Sequence, residues 1–281
     1  MQNENGKRIW LISGVSGGLG LAFALAALAA GDTVIGTVRK DDDRAGFEKL
    51  GQGRAHAMVL DVSDFDAIAA AVAKVQQQVG PIGVLVNNAG YGHEGTLEES
   101  PLNDLRRQFD VNVFGAVAMI KAVLPQMRER RSGHIINVTS MAGMAALPGI
   151  AYYSGSKFAL EGISESLAQE VAPFGVKVTA LAPGSFRTDW AGRSMVRANR
   201  HIADYDTVFD PIRAARQAKS GAQVGDPAKA AQVLLEIVNE DQPPRHLVLG
   251  IDALKLVRSR LGKLNAELDQ WEELSHKTEH Q

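Results

Sequence analysis

The sequence predicts a single α/β domain built on a doubly wound, parallel, seven-stranded sheet, and three observations support this prediction. Short apolar segments alternate with longer segments of helical character along about 250 residues. The short segments are apolar nearly throughout, as expected of strands that helices cover on both faces. Glycine is enriched, at 28 of 281 residues, and four glycines follow the first apolar segment closely.

The predicted elements follow one another in regular order. Strands are expected at residues 8–13, 33–38, 55–60, 84–87, 134–139, 177–182 and 246–249. Helices are expected at about residues 19–30, 64–79, 102–131, 152–172 and 227–239. Asp64 and Asp226 have the side-chain chemistry of helix N-caps, and Pro227 suits the first helical position.

The first strand and helix fall in an uncharged segment, residues 9–31, that follows Lys7 and Arg8. A signal peptide or a membrane helix is therefore a competing interpretation. The four glycines between residues 14 and 20 divide the segment into strand, turn and helix, which favours a soluble protein without a membrane partner. We expect a cytoplasmic location.

Two segments interrupt the alternation of strands and helices. Residues 185–225 form a long connection with seven Lys or Arg and four Asp, and connections of this length are usually functional lids or disordered. Residues 251–281 are expected to form an appended helix with a polar tail. We therefore assign residues 1–250, lid included, to one domain and residues 251–281 to a C-terminal extension.

Composition narrows the possible partners. The 30 Lys plus Arg and 32 Asp plus Glu give a formal net charge of −2, which argues against a nucleic-acid partner and an anionic membrane surface. The chain has no cysteine, which excludes disulfides, thiolate metal sites and a cysteine nucleophile. No metal site is assigned.

The glycine-rich segment at residues 13–20, SGVSGGLG, lies between the first strand and the first helix. This order directs backbone N–H groups and a helix N-terminus toward a place where a pyrophosphate could bind. Glycine is needed where the backbone turns tightly and approaches the phosphates. Alone, such a turn is weak evidence for a nucleotide, and its GxxxGxG spacing differs from the commoner GxGxxG.

The end of the second strand indicates which dinucleotide binds. An acidic residue about 20 positions beyond the loop would bind the ribose of NAD, whereas an Arg accommodates the 2′-phosphate of NADP. This strand ends in Arg39 and Lys40 without a carboxylate. Arg39, aided by Ser16, favours NADP(H) over NAD(H). In the alternative, Arg39 is a solvated loop residue and Asp residues 41–43 cap the next helix.

Tyr153 and Lys157 form a YxxxK motif in a predicted helix. The i, i+4 spacing places them within about 40° on one helix face. Acid–base work near neutrality requires a phenol pKa lowered from about 10, and a nearby ammonium group is one source of that shift. The motif is common by chance. Three polar residues strengthen the motif: Ser140 and Asp61 each follow a predicted strand, and Asn112 lies in a predicted helix.

Together these residues resemble the classical short-chain dehydrogenase/reductase family over about residues 7–250. The matching motifs are residues 13–20, Asp61, the NNAG of residues 87–90, Asn112, Ser140, Tyr153 with Lys157, and Pro183-Gly184 with Thr188. Small departures are Ser13 for the usual Thr, Leu19 for the usual Ile, and Phe186 for a smaller aliphatic residue, which could crowd the nicotinamide.

The resemblance implies a Rossmann-type fold and hydride transfer between a nicotinamide and a carbinol carbon. It implies that Tyr153 is the acid in reduction, Lys157 binds the ribose and lowers the tyrosine pKa, Ser140 polarises the carbonyl and Asn112 holds a relay water. It also implies a homodimer or homotetramer. The implied cofactor contacts are Gly14, Ser16, Gly17, Gly18, Leu19, Gly20, Arg39, Asp61, Val62, Asn88, Ala89, Gly90, Tyr153, Lys157, Pro183, Gly184, Phe186 and Thr188.

The long connection bears on the substrate. Apolar residues that could line a pocket there favour a hydrophobic alcohol or ketone: Trp190, Met195, Tyr205 and Phe209. A competing signal comes from three arginines that would share one face of a helix: Arg193, Arg197 and Arg200. Such a face would attract an acidic substrate, contact solvent or contact a subunit. His93 is a candidate for the mouth of the site.

Two rival functions remain at this stage. An epimerase or dehydratase of the extended branch also uses Tyr and Lys, but the glycine spacing and the short C-terminal part argue against it. An NADP-sensing protein without turnover normally lacks part of the catalytic set. Here that set is complete: Asn112, Ser140, Tyr153 and Lys157.

Overall fold

The computed structural model describes residues 7–192 and 194–280, and its centre is a parallel sheet. The strands are β1 Ile9–Ile12, β2 Thr33–Val38, β3 Ala55–Val59, β4 Val84–Asn87, β5 Gly92–Glu94, β6 Gly133–Val138, β7 Val176–Pro183, β8 Met195–Arg197 and β9 His246–Leu249. Seven of them form one sheet in the order β3-β2-β1-β4-β6-β7-β9. Every neighbouring pair is parallel, which confirms the predicted doubly wound fold.

Helices cover both faces of the sheet. They are α1 Gly18–Ala29, α2 Asp42–Glu48, α3 Phe65–Val79, α4 Leu102–Phe109, α5 Gly115–Glu129, α6 Ala151–Val171, α7 Asp206–Ala218, α8 Pro227–Asn239 and α9 Ile251–His276. The predicted N-caps are confirmed, because the Asp64 and Asp226 carboxylates accept hydrogen bonds from the amides of Ala67 and Ala228.

The core has two halves, one on each face of the sheet. On β1, Trp10 and Ile12 pack with α1 and α8, whereas Leu11 packs with α3, α5 and α6 on the other face. Successive side chains of a strand alternate between faces, so a strand buried on both sides is apolar throughout. The strand order reverses between β1 and β4, and ligands of such folds bind at this switch point, beyond the carboxyl ends of the strands.

The predicted helix at residues 102–131 contains an unpredicted π-helical turn at Asp110–Phe114, between α4 and α5. Single π turns inside α-helices occur frequently at functional sites. The whole run, Leu102–Glu129, is long and apolar enough to cross a membrane by length and composition. Its apolar face, which includes Met119, Val123 and Met127, lies in the core against the sheet.

The lid, residues 185–225, contains regular elements where the sequence indicated only a long connection. Strand β8 pairs in parallel with β5, and α7 follows it. The helix face expected for the three lid arginines is wrong, because pairing with β5 holds Arg197 in an extended strand and Arg200 lies in the loop after it. Arg193 lies outside the described residues.

Candidate active site

The glycine loop joins β1 to α1 and is fixed by short polar contacts to the segment after β4. The Ser13 hydroxyl accepts hydrogen bonds at 2.9 Å from the amides of Asn88 and Ala89. The Asn88 side-chain amide donates in return to the carbonyls of Ser13 and Gly14, both at 3.0 Å. A Cβ on Gly20 would overlap the Gly14 carbonyl oxygen and the Asn88 amide, so α1 can pack this closely only with glycine there.

The conformation of the loop suits an anionic ligand. Gly14 and Gly18 have positive φ angles of 74° and 59°, which favour glycine. Gly17 and Leu19 are half-buried, while Ser16 and Gly18 are exposed at the start of α1. Exposed backbone at a helix N-terminus binds phosphate groups. The donor set therefore fits a dinucleotide pyrophosphate.

The adjacent strand ends carry the remaining predicted cofactor residues. Arg39 is exposed directly after β2. Hydrogen bonds from the Ser63 amide and hydroxyl, and to a lesser extent the charge of Arg39, lower the pKa of Asp61. Val62 is buried against Gly115. Arg39 thus follows the carboxyl end of β2, and Asp61 and Val62 come shortly after β3, in the half of the sheet that contains β1 and the glycine loop.

On the other side of the loop, β7 ends at Pro183. The Gly184 amide donates to the Leu249 carbonyl at 2.8 Å. Phe186 is half-buried, and its ring packs against Gly225 and the core beside α1 and α8. The Thr188 side chain lies against Gly18, which joins the start of the lid to the glycine loop.

Tyr153 and Lys157 lie on the buried face of α6, and Ser140 follows β6. Burial raises the pKa of Tyr153 to about 12, and a hydrogen bond from the Ser140 hydroxyl opposes that rise. Desolvation lowers the pKa of Lys157 to about 8, while the negative charge of Glu161 raises it. The Lys157 ammonium donates to the Val138 carbonyl at 2.8 Å and lies 5.8 Å from the centre of the Tyr153 ring. The expected lowering of the Tyr153 pKa by Lys157 is therefore wrong for this structure, because burial outweighs the hydrogen bond from Ser140, and the phenol is protonated at neutral pH.

Asn112 lies in the π-helical turn and is buried. Its side-chain oxygen accepts from the Tyr91 amide at 3.1 Å, and its nitrogen donates to the Tyr91 carbonyl and to the Ser156 hydroxyl, both at 3.1 Å. A Cβ on Gly90 would lie 3.0 Å from the Asn112 oxygen. Asn112 thus fixes the segment after the NNAG motif against α6.

The lid covers the tyrosine. The rings of Trp190 and Tyr153 are 5.0 Å apart at an angle of 55°, and both pack with Ala142 and Ile150. Met195 and Trp190 contact Gly92 from the lid side. The phenol of Tyr153 therefore faces an apolar enclosure.

The other predicted pocket and mouth residues lie elsewhere. Phe209 is buried inside the lid, and the guanidinium groups of Arg200 and Arg213 lie 5.3 and 5.8 Å from the centre of its ring, within the range of cation–π contacts. The Tyr205 hydroxyl donates to the Glu98 carboxylate at 2.8 Å. The expectation for His93 is wrong: its ring is 1% exposed and packs on Tyr152.

Two buried glutamates, Glu94 and Glu99, were not predicted from the sequence. Glu94 has no exposed side-chain surface, and three lid arginines surround its carboxylate: Arg197 at 2.9 Å, Arg213 at 3.4 Å, and Arg216. Strand β5 ends at Glu94, and its pairing with β8 brings these charges together. The sequence signal that could have indicated these ion pairs is that the segment after NNAG is rich in glutamate and the lid is rich in arginine.

Glu99 joins the same region to the middle of the lid. Arg200 donates to its carboxylate at 2.9 Å, and the amides of His201 and Ile202 donate at 2.7 and 3.0 Å. Burial would raise the Glu99 pKa, but these amides, the Thr96 hydroxyl and Arg200 together lower it to about 2. The lid is therefore attached by charge as well as by strand pairing.

Glu161 connects Lys157 to the edge of the sheet. It lies one turn beyond Lys157 on α6, accepts a hydrogen bond from the Thr139 hydroxyl, and contacts His246 Nδ1 at 2.8 Å. Nothing in the sequence singles out this glutamate, because its two partners are 22 and 85 positions away in the chain.

Comparison with known proteins agrees with this geometry. The short chain dehydrogenase family profile matches residues 8–197. Oxidoreductase BOA17 of Botryotinia fuckeliana is 40% identical over 269 residues, covering 95% of this chain and 98% of that protein. The NADPH-dependent 3-dehydrocapnine reductase of Ornithobacterium rhinotracheale is 34% identical over 209 residues, covering 72% and 74%.

A solved structure gives the same result. The crystal structure of a short-chain dehydrogenase from Streptomyces avermitilis has a TM-score of 0.91 and 40% identity, covering 98% of this chain and 100% of that one. The fold, the glycine loop and the Tyr153–Lys157 pair all agree with this assignment. The chain belongs to the short-chain dehydrogenase/reductase family and is an oxidoreductase.

Proposed function

We propose that this oxidoreductase uses NADP(H) to interconvert a ketone and a secondary alcohol on a small apolar molecule, with Tyr153 as acid and base. The observation that carries the proposal is the convergence of Tyr153, Ser140 and Lys157 under the indole of Trp190, beside the NNAG segment. The dinucleotide, when bound, supplies or accepts the hydride.

The chain's own residues handle the proton. Tyr153 stays protonated at neutral pH, because its pKa is about 12, and in reduction it gives that proton to the carbonyl oxygen. With a ketone bound, the Ser140 hydroxyl would donate its one hydrogen bond to the carbonyl oxygen instead of to Tyr153 and so orient the ketone. Lys157 is mostly charged below its pKa of about 8, and its charge stabilises the phenolate that remains on Tyr153. In oxidation the phenolate takes the proton back.

Binding of the dinucleotide is divided among the strand ends. The backbone of residues 14–20 would hold the pyrophosphate, Asp61 and Val62 would flank the adenine, and Thr188 would hold the carboxamide. Arg39 and Ser16, both exposed beside the loop, would hold the 2′-phosphate. The preference for NADP(H) is further supported by the relative that is named as NADPH-dependent.

An apolar substrate is supported by the surroundings of the phenol. Trp190, Ile150 and Ala142 line the space beside Tyr153. The arginines of the lid that the sequence offered as attractors of an acidic substrate are instead engaged with buried carboxylates, as for Arg197 with Glu94 and Arg200 with Glu99. These ion pairs remove the main reason to propose an anionic substrate.

The neighbouring tyrosine provides a matched control for the catalytic assignment. Tyr153→Phe should keep NADPH affinity but lower kcat by about 10²–10⁴, the usual contribution of a general acid. Tyr152→Phe should keep turnover, because the Tyr152 hydroxyl donates to the Ser100 carbonyl at 2.7 Å, away from the site. Turnover is measured as NADPH oxidation with ketones, aldehydes and quinones.

Near-normal turnover by Tyr153→Phe would refute the role of Tyr153. If the unmodified protein binds NADPH but oxidises it with no member of the panel, the alternative of an NADP-sensing protein takes the place of this proposal.

Cofactor preference is tested separately. Arg39→Asp should lower the ratio of kcat/KM for NADPH to that for NADH by roughly 10- to 150-fold, which corresponds to losing about 1.5–3 kcal/mol of charged hydrogen bonding. Lys40→Asp is the control, because it makes the same charge change at the next position. An unchanged ratio in Arg39→Asp, or an equal change in Lys40→Asp, would contradict the assignment.

A further inference from the structure

The C-terminal helix α9 extends beyond the domain. Its buried residues are Ala253 and Val257, both in the first two turns, which pack beside β9 and residues 141–143. No residue from 258 to 276 is buried. Large apolar side chains are nevertheless exposed there, including Leu261 at 47%, Leu268 at 61% and Trp271 at 58%.

These apolar residues recur with the spacing of a coiled coil. Intervals of three and four residues alternate along one line of the helix: Leu254, Val257, Leu261, Leu264, Leu268 and Trp271. This is a seven-residue repeat, whose apolar seam packs against another helix. Val257 meets the domain, whereas the seam from Leu261 to Trp271 faces outward.

The charges of α9 favour one orientation of the partner helix. Basic residues precede the centre of the seam: Lys255, Arg258, Arg260 and Lys263. Acidic residues follow it: Glu267, Asp269, Glu272 and Glu273. When a second α9 lies antiparallel, its acidic half faces the basic half of the first helix. When it lies parallel, halves of like charge face each other. Like charges at such positions destabilise the pairing.

The antiparallel orientation also brings the apolar seam residues of the two α9 helices opposite one another. With the two-fold axis near residue 266, Leu264 lies opposite the partner's Leu268, and Leu261 lies opposite the partner's Trp271. At this register Arg258 faces the partner's Glu272 at a flanking position of the seam. Glu267 faces the partner's Glu267 near the axis, where the like charges oppose pairing.

We propose that α9 is an interaction surface for a second copy of this chain, which pairs with it as an antiparallel two-stranded coiled coil centred near residue 266. A membrane surface fits the helix less well, because its acidic half and near-neutral total charge give no attraction to anionic lipids. The pairing surface is separate from the active site and does not depend on the proposed reaction.

Cysteine cross-linking tests the orientation directly, because the natural chain has no cysteine. Glu267→Cys introduces a single thiol near the axis and should give a covalent dimer with a short bismaleimide. In Trp271→Cys the two thiols would lie about 15 Å apart along the helix axis, so a bismaleimide shorter than this distance should not join them. Glu273→Cys, on the outer face, controls for chance collisions.

Cross-linking of Trp271→Cys as efficient as that of Glu267→Cys would show parallel pairing and overturn the proposal. So would equal cross-linking of Glu267→Cys and Glu273→Cys, or none in any variant.

A charge exchange tests the register independently of the cross-linker. Arg258→Glu and Glu272→Arg should each weaken self-association about threefold to tenfold, as expected for losing exposed ion pairs, and the double variant should restore it. The measurement is sedimentation of the full chain, with NADPH binding as the check on folding. Leu268→Asp should halve the mass of the assembly.

If Leu268→Asp leaves the mass of the assembly unchanged, the proposal is overturned. The same holds if the double variant self-associates no more strongly than either single variant. Binding of the natural chain to anionic phospholipid vesicles, lost in Leu268→Asp without any change of mass, would assign the surface to a membrane instead.

Discussion

The two sides of the active site are held together by different forces. On the cofactor side, neutral polar groups meet at close range: the Asn88 side-chain amide lies against the carbonyls of Ser13 and Gly14, where Gly20 leaves just enough space. On the substrate side, Glu94 and Glu99 are buried among arginines of the lid. One side depends on shape, and the other depends on charge.

This difference determines which substitutions each side tolerates. On the cofactor side, a methyl group added to a close-packed glycine such as Gly20 would overlap neighbouring atoms. On the substrate side, removing one charge of a buried ion pair destabilises the protein, because the remaining charge stays buried without the interaction that offset its desolvation. Substitutions chosen from each side should therefore affect different measured quantities.

The largest effect is expected from Glu94→Gln, which removes the carboxylate that Arg213 and Arg216 share with Arg197. Removing one partner of a buried ion pair typically costs about 3–5 kcal/mol. The loss should release the part of the lid beyond Thr188 that carries these arginines, so trypsin should cleave it faster and the KM for the ketone should rise, while NADPH affinity should change little.

The control for this prediction is Glu48→Gln, which breaks the exposed pair of Arg44 and Glu48 on α2. That pair contributes about 0.3–0.5 kcal/mol, so neither trypsin cleavage nor KM should respond. Weaker NADPH binding in Glu94→Gln, with unchanged cleavage of the lid, would show that the two sides are not separate.

Gly20→Ala makes the corresponding change on the cofactor side. The added methyl would overlap the Gly14 carbonyl and the Asn88 amide, and overpacking of this kind costs about 1–3 kcal/mol. NADPH should bind roughly 5- to 150-fold more weakly in a fluorescence titration. Gly162→Ala is the control, because a methyl there meets open space on α6 and alanine is the better helix former. Equal NADPH affinity in the two variants would contradict the argument from shape.

The elements of the cofactor side were predictable from the sequence because their causes are local. The strands and main-sheet helices predicted from apolar patterns agree with the structure to within two residues, and Asp64 and Asp226 cap their helices as expected. The glycine loop was recognisable because backbone conformation restricts residue type over a few positions.

The substrate side was not predictable because its contacts are distant in sequence. Arg197 and Glu94 are 103 positions apart, and nothing between them indicates that β5 pairs with β8. Without that pairing, the arginine spacing suggested a helix face. The π-helical turn at Asn112 also escaped prediction, since it depends on contacts of that side chain with Tyr91 and Ser156.

Glu161 lies where the two sides meet, and its replacement should change a pH profile. Lys157 has its pKa at about 8 because desolvation lowers it, and the negative charge of Glu161 raises it. In Glu161→Gln that pKa should fall, so Lys157 loses its charge at lower pH. The alkaline limb of kcat/KM for NADPH, which reports groups of the free enzyme, should move to lower pH.

The control is His246→Asn, which removes the neighbour of Glu161 but keeps the carboxylate. Its alkaline limb should stay near that of the natural enzyme. If the alkaline limb of kcat/KM moves to higher pH in Glu161→Gln, or moves by the same amount in both variants, the charge of Glu161 does not act on Lys157.

The smallest effect is expected at Asp226, the boundary between the lid and the cofactor side. Its carboxylate accepts from the Ala228 amide at 2.8 Å and caps α8, which packs on α1. Asp226→Ala should lower the free energy of unfolding by about 1 kcal/mol in urea, and Asp226→Asn should leave it nearly unchanged. The KM for the ketone should not change, since α8 belongs to the cofactor side. A raised KM without loss of stability would show instead that this cap holds the lid.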